Sequence, residues 1–292
     1  MRSLSADKAK LIAAMCLFGT IGILRRYIPC SSGVLALARS VVGLLFLLAV
    51  RLFRRAPFPA AALRQNAPVL CASGVLLGGN WILLFEAYRY TTVAVATVSY
   101  YMAPVFILLL SPLVLHESLT LKKALCVAAA LLGMTLVSGV WETGLTGMTG
   151  VVYGLGAATM YTGVVLLNKR IRGLSAGDRT IAQLFVAAVA MLPYVLLTEQ
   201  NGALRMDAGA LLLLIVAGVL HTGVAYTLYF GSIGSLPAQT AALFSYIDPV
   251  VAVLLSVLLL HEPLSALAAV GAALVICAAV VSELPPRVRP PA

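Results

Sequence analysis

The sequence predicts an all-α integral membrane fold of ten transmembrane helices, built as two five-helix repeats in inverted orientation. Three observations carry that prediction: an apolar composition, apolar runs of helical length, and self-similarity between the halves. Of 292 residues, 62% are hydrophobic and 10% charged, against roughly 45–50% and about 25% in soluble domains. A soluble domain of this size buries only about three quarters of its chain's surface, too little to hide so much apolar material. The same figures exclude disorder. A transmembrane barrel would alternate apolar and polar residues in segments of about ten, whereas runs such as Val250–Leu260 are continuous.

In chain order the apolar segments lie near residues 9–28, 33–52, 67–88, 91–115, 121–140, 148–168, 179–198, 208–230, 236–260 and 265–283. At about 20 residues per span, ten spans leave only short connections. Helix breakers mark several of them, as in Pro29-Cys30-Ser31-Ser32-Gly33 and Arg55-Ala56-Pro57-Phe58-Pro59. The first segment reads as a true span rather than a signal peptide, because it ends at Arg25 and Arg26 without a small-x-small cleavage site. The tail 285–292 is Pro-rich and is expected to be disordered.

The net charge of +10 is an orientation signal rather than a nucleic-acid footprint. With the N-terminus inside, fifteen Lys and Arg fall on the cytoplasmic side, in groups such as Arg51/Arg54/Arg55, Lys122/Lys123 and Lys169/Arg170/Arg172. Four fall outside (Arg25, Arg26, Arg89 and Arg205), and Arg39 alone lies within a span. Both termini are therefore expected in the cytoplasm. The five cysteines include no CxxC pair, and all but Cys30 sit in apolar runs as small hydrophobes.

Self-similarity appears at an offset of 145 residues. Tyr101, Pro104, Ser111, His116 and Glu117 recur as Tyr246, Pro249, Ser256, His261 and Glu262, with eleven of nineteen positions identical from 101 to 119. Upstream, Gly78 pairs with Gly223, Trp81 with Tyr226 and Phe85 with Phe230. The repeats are then 1–145 and 146–284. Five spans is an odd number, so the second repeat enters the membrane upside down. That architecture belongs to many secondary transporters, whose binding sites lie midway between the halves.

The Pro…His-Glu-x-Leu endings of segments four and nine resemble the EamA family of the drug/metabolite transporter superfamily. Phe85-Glu-Ala-Tyr-Arg-Tyr-Thr-Thr between segments three and four, Phe18-Gly19 and Arg39 fit the same family. The resemblance spans nearly the whole chain. It implies a ten-helix transporter acting on amino acids or other small metabolites, often outward, and a central pocket drawing on segments three, six and eight.

Ala94, Thr97, Tyr101 and Pro104 share one helical face, as do Gln239, Ala242, Tyr246 and Pro249 in the other half. Both stripes are more polar than their surroundings, and either line a cavity or pack helices through tyrosine hydroxyls. Proline in mid-helix frees the carbonyl four residues back, which can bend the helix or ligate a solute. Asn80, Trp81 and Tyr226 stand in segments three and eight, and Trp81 is unusual at the midplane because tryptophan prefers the interfaces. Tyr153 and Tyr161 are further candidates for an aromatic chamber.

Asp248 lies halfway along segment nine, where a carboxylate must pair, bind a cationic solute or titrate. Its repeat counterpart is Ala103. His221 is a second candidate for proton handling. Arg39, opposite Gln183, either meets a substrate carboxylate or forms a structural contact. The His116-Glu117 and His261-Glu262 pairs fall at opposite membrane faces, too far apart for a shared metal. Each glutamate is expected to favour the N-terminus of the next helix.

These residues predict a secondary transporter or facilitator that moves a small metabolite by alternating access, and the family resemblance implies an exporter. The cargo classes are an amino acid, an aromatic metabolite or a small organic cation. The alternatives are a lipid or glycolipid flippase and a choline-like importer. No HExxH, GxSxG or P-loop motif supports an enzyme or an ATP-driven pump, and no cofactor is called for. The expected partners are the substrate, the bilayer and coupling protons, with no nucleic acid. The protein is expected as a monomer or homodimer in the cytoplasmic membrane of a bacterium.

Overall fold

A computed structural model describes residues 2–55, 57–91, 93–137, 140, 147–199, 207–260 and 265–284. Among them the regular structure is helical, with no strand. The elements are α1 (Arg2–Arg26), α2 (Ser32–Phe53), α3 (Ala60–Tyr90), α4 (Val93–Tyr100), α5 (Ala103–Leu115), α6 (Leu121–Val137) and α7 (Met148–Asn168). They continue as α8 (Ala176–Thr198), α9 (Ala208–Val216), a π-helical stretch (Ala217–Val224), α10 (Ala225–Ile233), α11 (Ala238–Phe244), α12 (Ile247–Leu260) and α13 (Ala266–Glu283).

Six stretches among the described residues are long and apolar enough to cross a membrane: Gly33–Phe53, Ala60–Tyr90, Val95–Leu115, Met148–Asn168, Ala176–Thr198 and Ala208–Ile233. Their outward faces carry exposed leucines such as Leu113 and Leu196, which only lipid would cover at no cost. Side-chain caps start several helices. The Ser31 hydroxyl accepts from the Val34 N–H, Ser175 from Asp178, Asp207 from Ala210 and Ser265 from Ala268.

Segments four and nine are each broken near the middle. The chain leaves helix at Tyr101-Met102 between α4 and α5, and at Ser245-Tyr246 between α11 and α12. Pro104 and Pro249 stand just past the two breaks. Each lacks an N–H and cannot donate to the carbonyl four residues back, so the helix restarts instead of continuing. Segment eight is interrupted differently. In its π-helical stretch the Thr222 hydroxyl donates to the Ala217 carbonyl, five residues back, at 3.4 Å. That stretch crosses α2 closely: a Cβ on Gly218 would stand 2.4 Å from the Val42 side chain.

The packing order follows from these crossings. α3 lies against α7 and α8, α1 against α10 and α12, and α2 against α8 and the π-helical stretch. α4 and α5 pack on α7, α5 on α11, and α6 on α13. Polar side chains pin the buried contacts, where lipid gives helices no hydrophobic reason to associate. Asn80 Nδ2 donates to the Ala157 carbonyl at 2.8 Å, joining α3 to α7. Gln183 Nε2 donates to Ser73 Oγ at 2.8 Å and Asn168 Oδ1 at 3.0 Å, joining α8 to α3 and α7.

Candidate functional site

Where the two helix breaks face α1, α2 and α3, the packing opens into a cavity of about 480 Å³, a volume within the range of small-molecule sites. The breaks supply Tyr100, Tyr101, Ser245 and Asp248; α2 supplies Arg39, and α3 supplies Trp81 and Tyr88. Tyr161 of α7 and Tyr226 and Tyr229 of α10 complete the wall with Phe18 of α1.

The aromatic rings form a connected lining. Phe18 meets Tyr226 edge-on at 5.0 Å between centroids, and Trp81 meets Tyr226 at 5.7 Å. Tyr161 stacks on Tyr229 at 6.2 Å, and the Tyr161 hydroxyl donates to that of Tyr229. Tyr100 approaches Tyr161 at 5.8 Å. Such rings favour edge and offset contacts with one another and offer faces to a planar or cationic solute.

Two charges share this lining. Arg39 Nε donates to Thr222 Oγ1 at 3.2 Å, and the guanidinium carbon stands 5.9 Å from the centre of the Trp81 ring. Asp248 lies beside the Tyr101 hydroxyl. Its backbone carbonyl is where α1 comes closest: a Cβ on Gly19 would sit 2.6 Å from that oxygen. Among the described residues, neither Arg39 nor Asp248 has an oppositely charged side chain within 4.0 Å. An intramembrane charge without a counter-charge is costly.

Seven sequence-predicted residues, Arg39, Trp81, Tyr101, Pro104, Tyr161, Tyr226 and Asp248, thus meet in one cavity. The further candidates named next are not in its wall. Asn80 is held by the Ala157 carbonyl, and Gln239 Nε2 donates to Ser111 Oγ at 2.9 Å. Tyr246 lies behind the wall, stacked on Tyr101 at 5.8 Å with its hydroxyl donating to the Tyr101 carbonyl at 2.9 Å. Thr97 sits next to Tyr88. His221 is buried with Nε2 2.6 Å from Thr20 Oγ1, tying the π-helical stretch to α1. Tyr153 stacks on Tyr90 near the ends of α3 and α7. Of the helical stripe, the Ala94 side chain lies outside the described residues.

Tyr88, Tyr100, Tyr229 and Ser245 line the cavity without having been singled out by the sequence. Tyr229 was recoverable as the i+3 neighbour of Tyr226. Ser245 was recoverable in the same way, three residues before Asp248, but Tyr100 was not, because a continuous helix would turn it about 100° from Tyr101. The turns at the breaks let neighbouring residues face the same space. A further departure concerns Glu117: its carboxylate accepts from the backbone N–H groups of Ala238 and Gln239, at 2.9 and 3.5 Å. It serves α11, more than a hundred residues away, and not the next helix. His261 and Glu262 lie outside the described residues. Glu86 and Arg89 form an ion pair at 3.0 Å, and the Tyr194 hydroxyl also donates to Glu86.

Residues 9–139 and 148–283 match the EamA-like transporter family. The chain belongs to that family. It is 28% identical over 254 residues to the uncharacterized transporter YxxF of Bacillus subtilis (strain 168), covering 84% of this chain and 79% of that one. Protein PecM of Dickeya dadantii (strain 3937) is 29% identical, with 69% and 68% covered. Protein RarD of Salmonella typhi is 28% identical, with 65% and 63% covered. A solved crystal structure superposes with a TM-score of 0.85 at 19% identity over 96% of both chains, which shows a shared fold. The molecule is a multi-pass membrane protein of the drug/metabolite transporter kind.

Proposed function

We propose that this EamA-family protein is a secondary transporter or facilitator whose cargo is a small zwitterion with a ring or apolar side chain, an aromatic amino acid being the simplest case. The observation that carries the reading is the pair Arg39 and Asp248, opposite charges on one aromatic-lined cavity with no counter-charge for either among the described residues. A zwitterion would neutralise both at once. An organic cation would leave Arg39 uncompensated, and a neutral lipid would leave both. Trp81 and Tyr226 would take the ring.

Transport is read as alternating access between two inverted repeats in a ten-span fold. Self-similarity at an offset of 145 residues supports this, and so does the packing. Exchanging first- and second-half segments pairs α3–α7 with α1–α10, α3–α8 with α2–π, and α4/α5–α7 with α1–α12. The charge count favours cytoplasmic termini, and the family resemblance favours export.

The test is uptake of a radiolabelled amino-acid panel into proteoliposomes. Wild-type protein should accumulate at least one aromatic zwitterion, with Arg39→Gln and Asp248→Asn both losing most of that flux. Retained flux in Asp248→Asn would remove the carboxylate from the site, and no flux with any zwitterion would remove the cargo class.

A further inference from the structure

On α1, α2 and α3 the cavity lining sits in the halves of those helices nearest the 26–32 and 90–93 connections, while Tyr161, Tyr226 and Tyr229 line it from the other half of their segments. The opposite, basic end of the molecule carries the 53–60, 115–121, 168–176 and 233–238 connections, and here the two halves are tied together. Below the cavity, Leu11, Ile233, Leu236 and Ala238 are fully buried in one cluster. At the rim, Ser235 Oγ donates to Asp7 at 2.6 Å and Arg51 is paired with Asp178. A carrier working by alternating access must part these contacts once per cycle.

The contact best placed to control that step is the one made by Glu117. It sits just beyond the end of α5, in the first half. Its carboxylate accepts from the first N–H groups of α11, in the second half, and also faces Lys169 Nζ at 3.6 Å. Lys169 Nζ donates to the Leu236 carbonyl as well, so one ammonium holds both the carboxylate and the chain leading into α11. α11 has seven residues, about 10 Å of helix. Its other end is Ser245, on the cavity wall, and Asp248 follows three residues later. One short rigid element therefore runs from the Glu117 carboxylate to the charge expected to meet the solute. Ser111 with Gln239, and Tyr101 with Tyr246, keep it registered against α4 and α5.

We propose that Glu117 and Lys169 are gating residues: the carboxylate latches α11 at the basic end, and movement of α11 when the cavity binds solute releases that latch and opens the basic end. This rests on the transporter reading, and it assigns a role to the His-Glu signature that neither a metal site nor a cap on the following helix explains. The latch suits reversible use. A carboxylate on helix N–H groups makes strong charge-assisted bonds, yet it lies at the membrane rim, where water can replace each partner.

The experiment measures opening without needing a solute. With the five native cysteines replaced, Ile233→Cys places a thiol that is fully buried while the latch is closed. A membrane-impermeant maleimide is applied from either face of oriented vesicles. Glu117→Gln should speed labelling from the basic face by about tenfold, the shift expected on losing one or two charge-assisted hydrogen bonds. Glu117→Asp should recover part of the protection, and Lys169→Met should give a smaller rise, about threefold, because the cap remains without its counter-ion. A labelling rate unchanged in both Glu117→Gln and Lys169→Met overturns the latch, whatever happens to transport. Faster labelling in vesicles that move no zwitterion would keep the latch and reject the cargo. If Glu117→Gln does not yield folded protein, the Lys169→Met comparison alone decides.

Discussion

Charges at the basic end and charges in the cavity are treated in opposite ways. At the basic end Arg51 is bonded to Asp178. Arg179 of α8 donates to the carbonyls of Asn168, Ile171 and Phe230 at 3.2–3.3 Å, which fixes the start of α8 against α7 and α10. Deeper in the molecule, where ion pairing would matter more, Arg39 has one hydroxyl and the face of a ring, and Asp248 has a phenol. The repeat counterparts sharpen the contrast. Gln183, opposite Arg39, gives its amide N–H groups to Ser73 and Asn168, and Asp248 stands opposite Ala103. Rim charges join helices; the cavity charges have no counter-charge among the described residues, which fits the proposed site for a charged solute.

The largest effect should come from the cavity. Asp248→Asn and Arg39→Gln are each expected to cut zwitterion flux by at least about tenfold, the scale of one lost charge-assisted contact. Their thermal midpoints should hold or rise, because each removes a charge buried without a counter-ion. A drop in both flux and midpoint would mean that these charges hold the fold together, and the contrast with the rim would fail.

Next comes Gly19→Ala. Its methyl would press on the Asp248 carbonyl at 2.6 Å, so α1 and α12 must part, at a cost of about 1–3 kcal/mol. Lower stability with a weakened solute response is the expected pair of results in a thermal melt. Wild-type behaviour would show that α1 yields freely beside the site.

Arg51→Met should do less: about 1 kcal/mol of stability lost, as for a partly exposed pair, with flux within a factor of about two. The smallest effect is expected at Asp7. The Lys10 ammonium and the Ser235 hydroxyl hold its carboxyl below the ordinary value of 3.8. A depressed acid stabilises fully above its unfolded pKa and loses that contribution as pH falls through its folded value. Wild type and Asp7→Asn should therefore differ slightly at neutral pH and converge in strong acid, as followed by melting temperature against pH. A gap that widens in acid would contradict the sign.

Much of the fold was legible because a bilayer leaves few choices. Apolar run length marked the helices, and Pro104 and Pro249 marked the places where two of them break. The cavity charges were legible for the same reason, since Arg39 and Asp248 stand out in apolar segments. What the sequence hid were consequences of the breaks and of distant packing. A helical stripe put Tyr246, Gln239 and Thr97 with Tyr101. The turn at Tyr101-Met102 ended that stripe and brought in Tyr100 instead, while Tyr246 went behind the wall. His221 looked like a proton carrier, yet the π-helical stretch turns it to Thr20 of α1. Glu117 pointed to a nearby helix end, and its partner lies in the other half of the chain. No local pattern encodes a contact of that span.

The central claim is that Arg39 and Asp248 together select a zwitterion. It is tested most directly by thermal-shift measurements on purified protein with phenylalanine, phenethylamine and 3-phenylpropionate, which share a ring and differ in charge. A ligand that binds the folded state alone raises the melting temperature in proportion to its affinity. The account predicts that phenylalanine stabilises most, that Asp248→Asn erases its advantage over 3-phenylpropionate, and that Arg39→Gln erases its advantage over phenethylamine. Equal stabilisation by all three compounds, unaffected by either substitution, would contradict it.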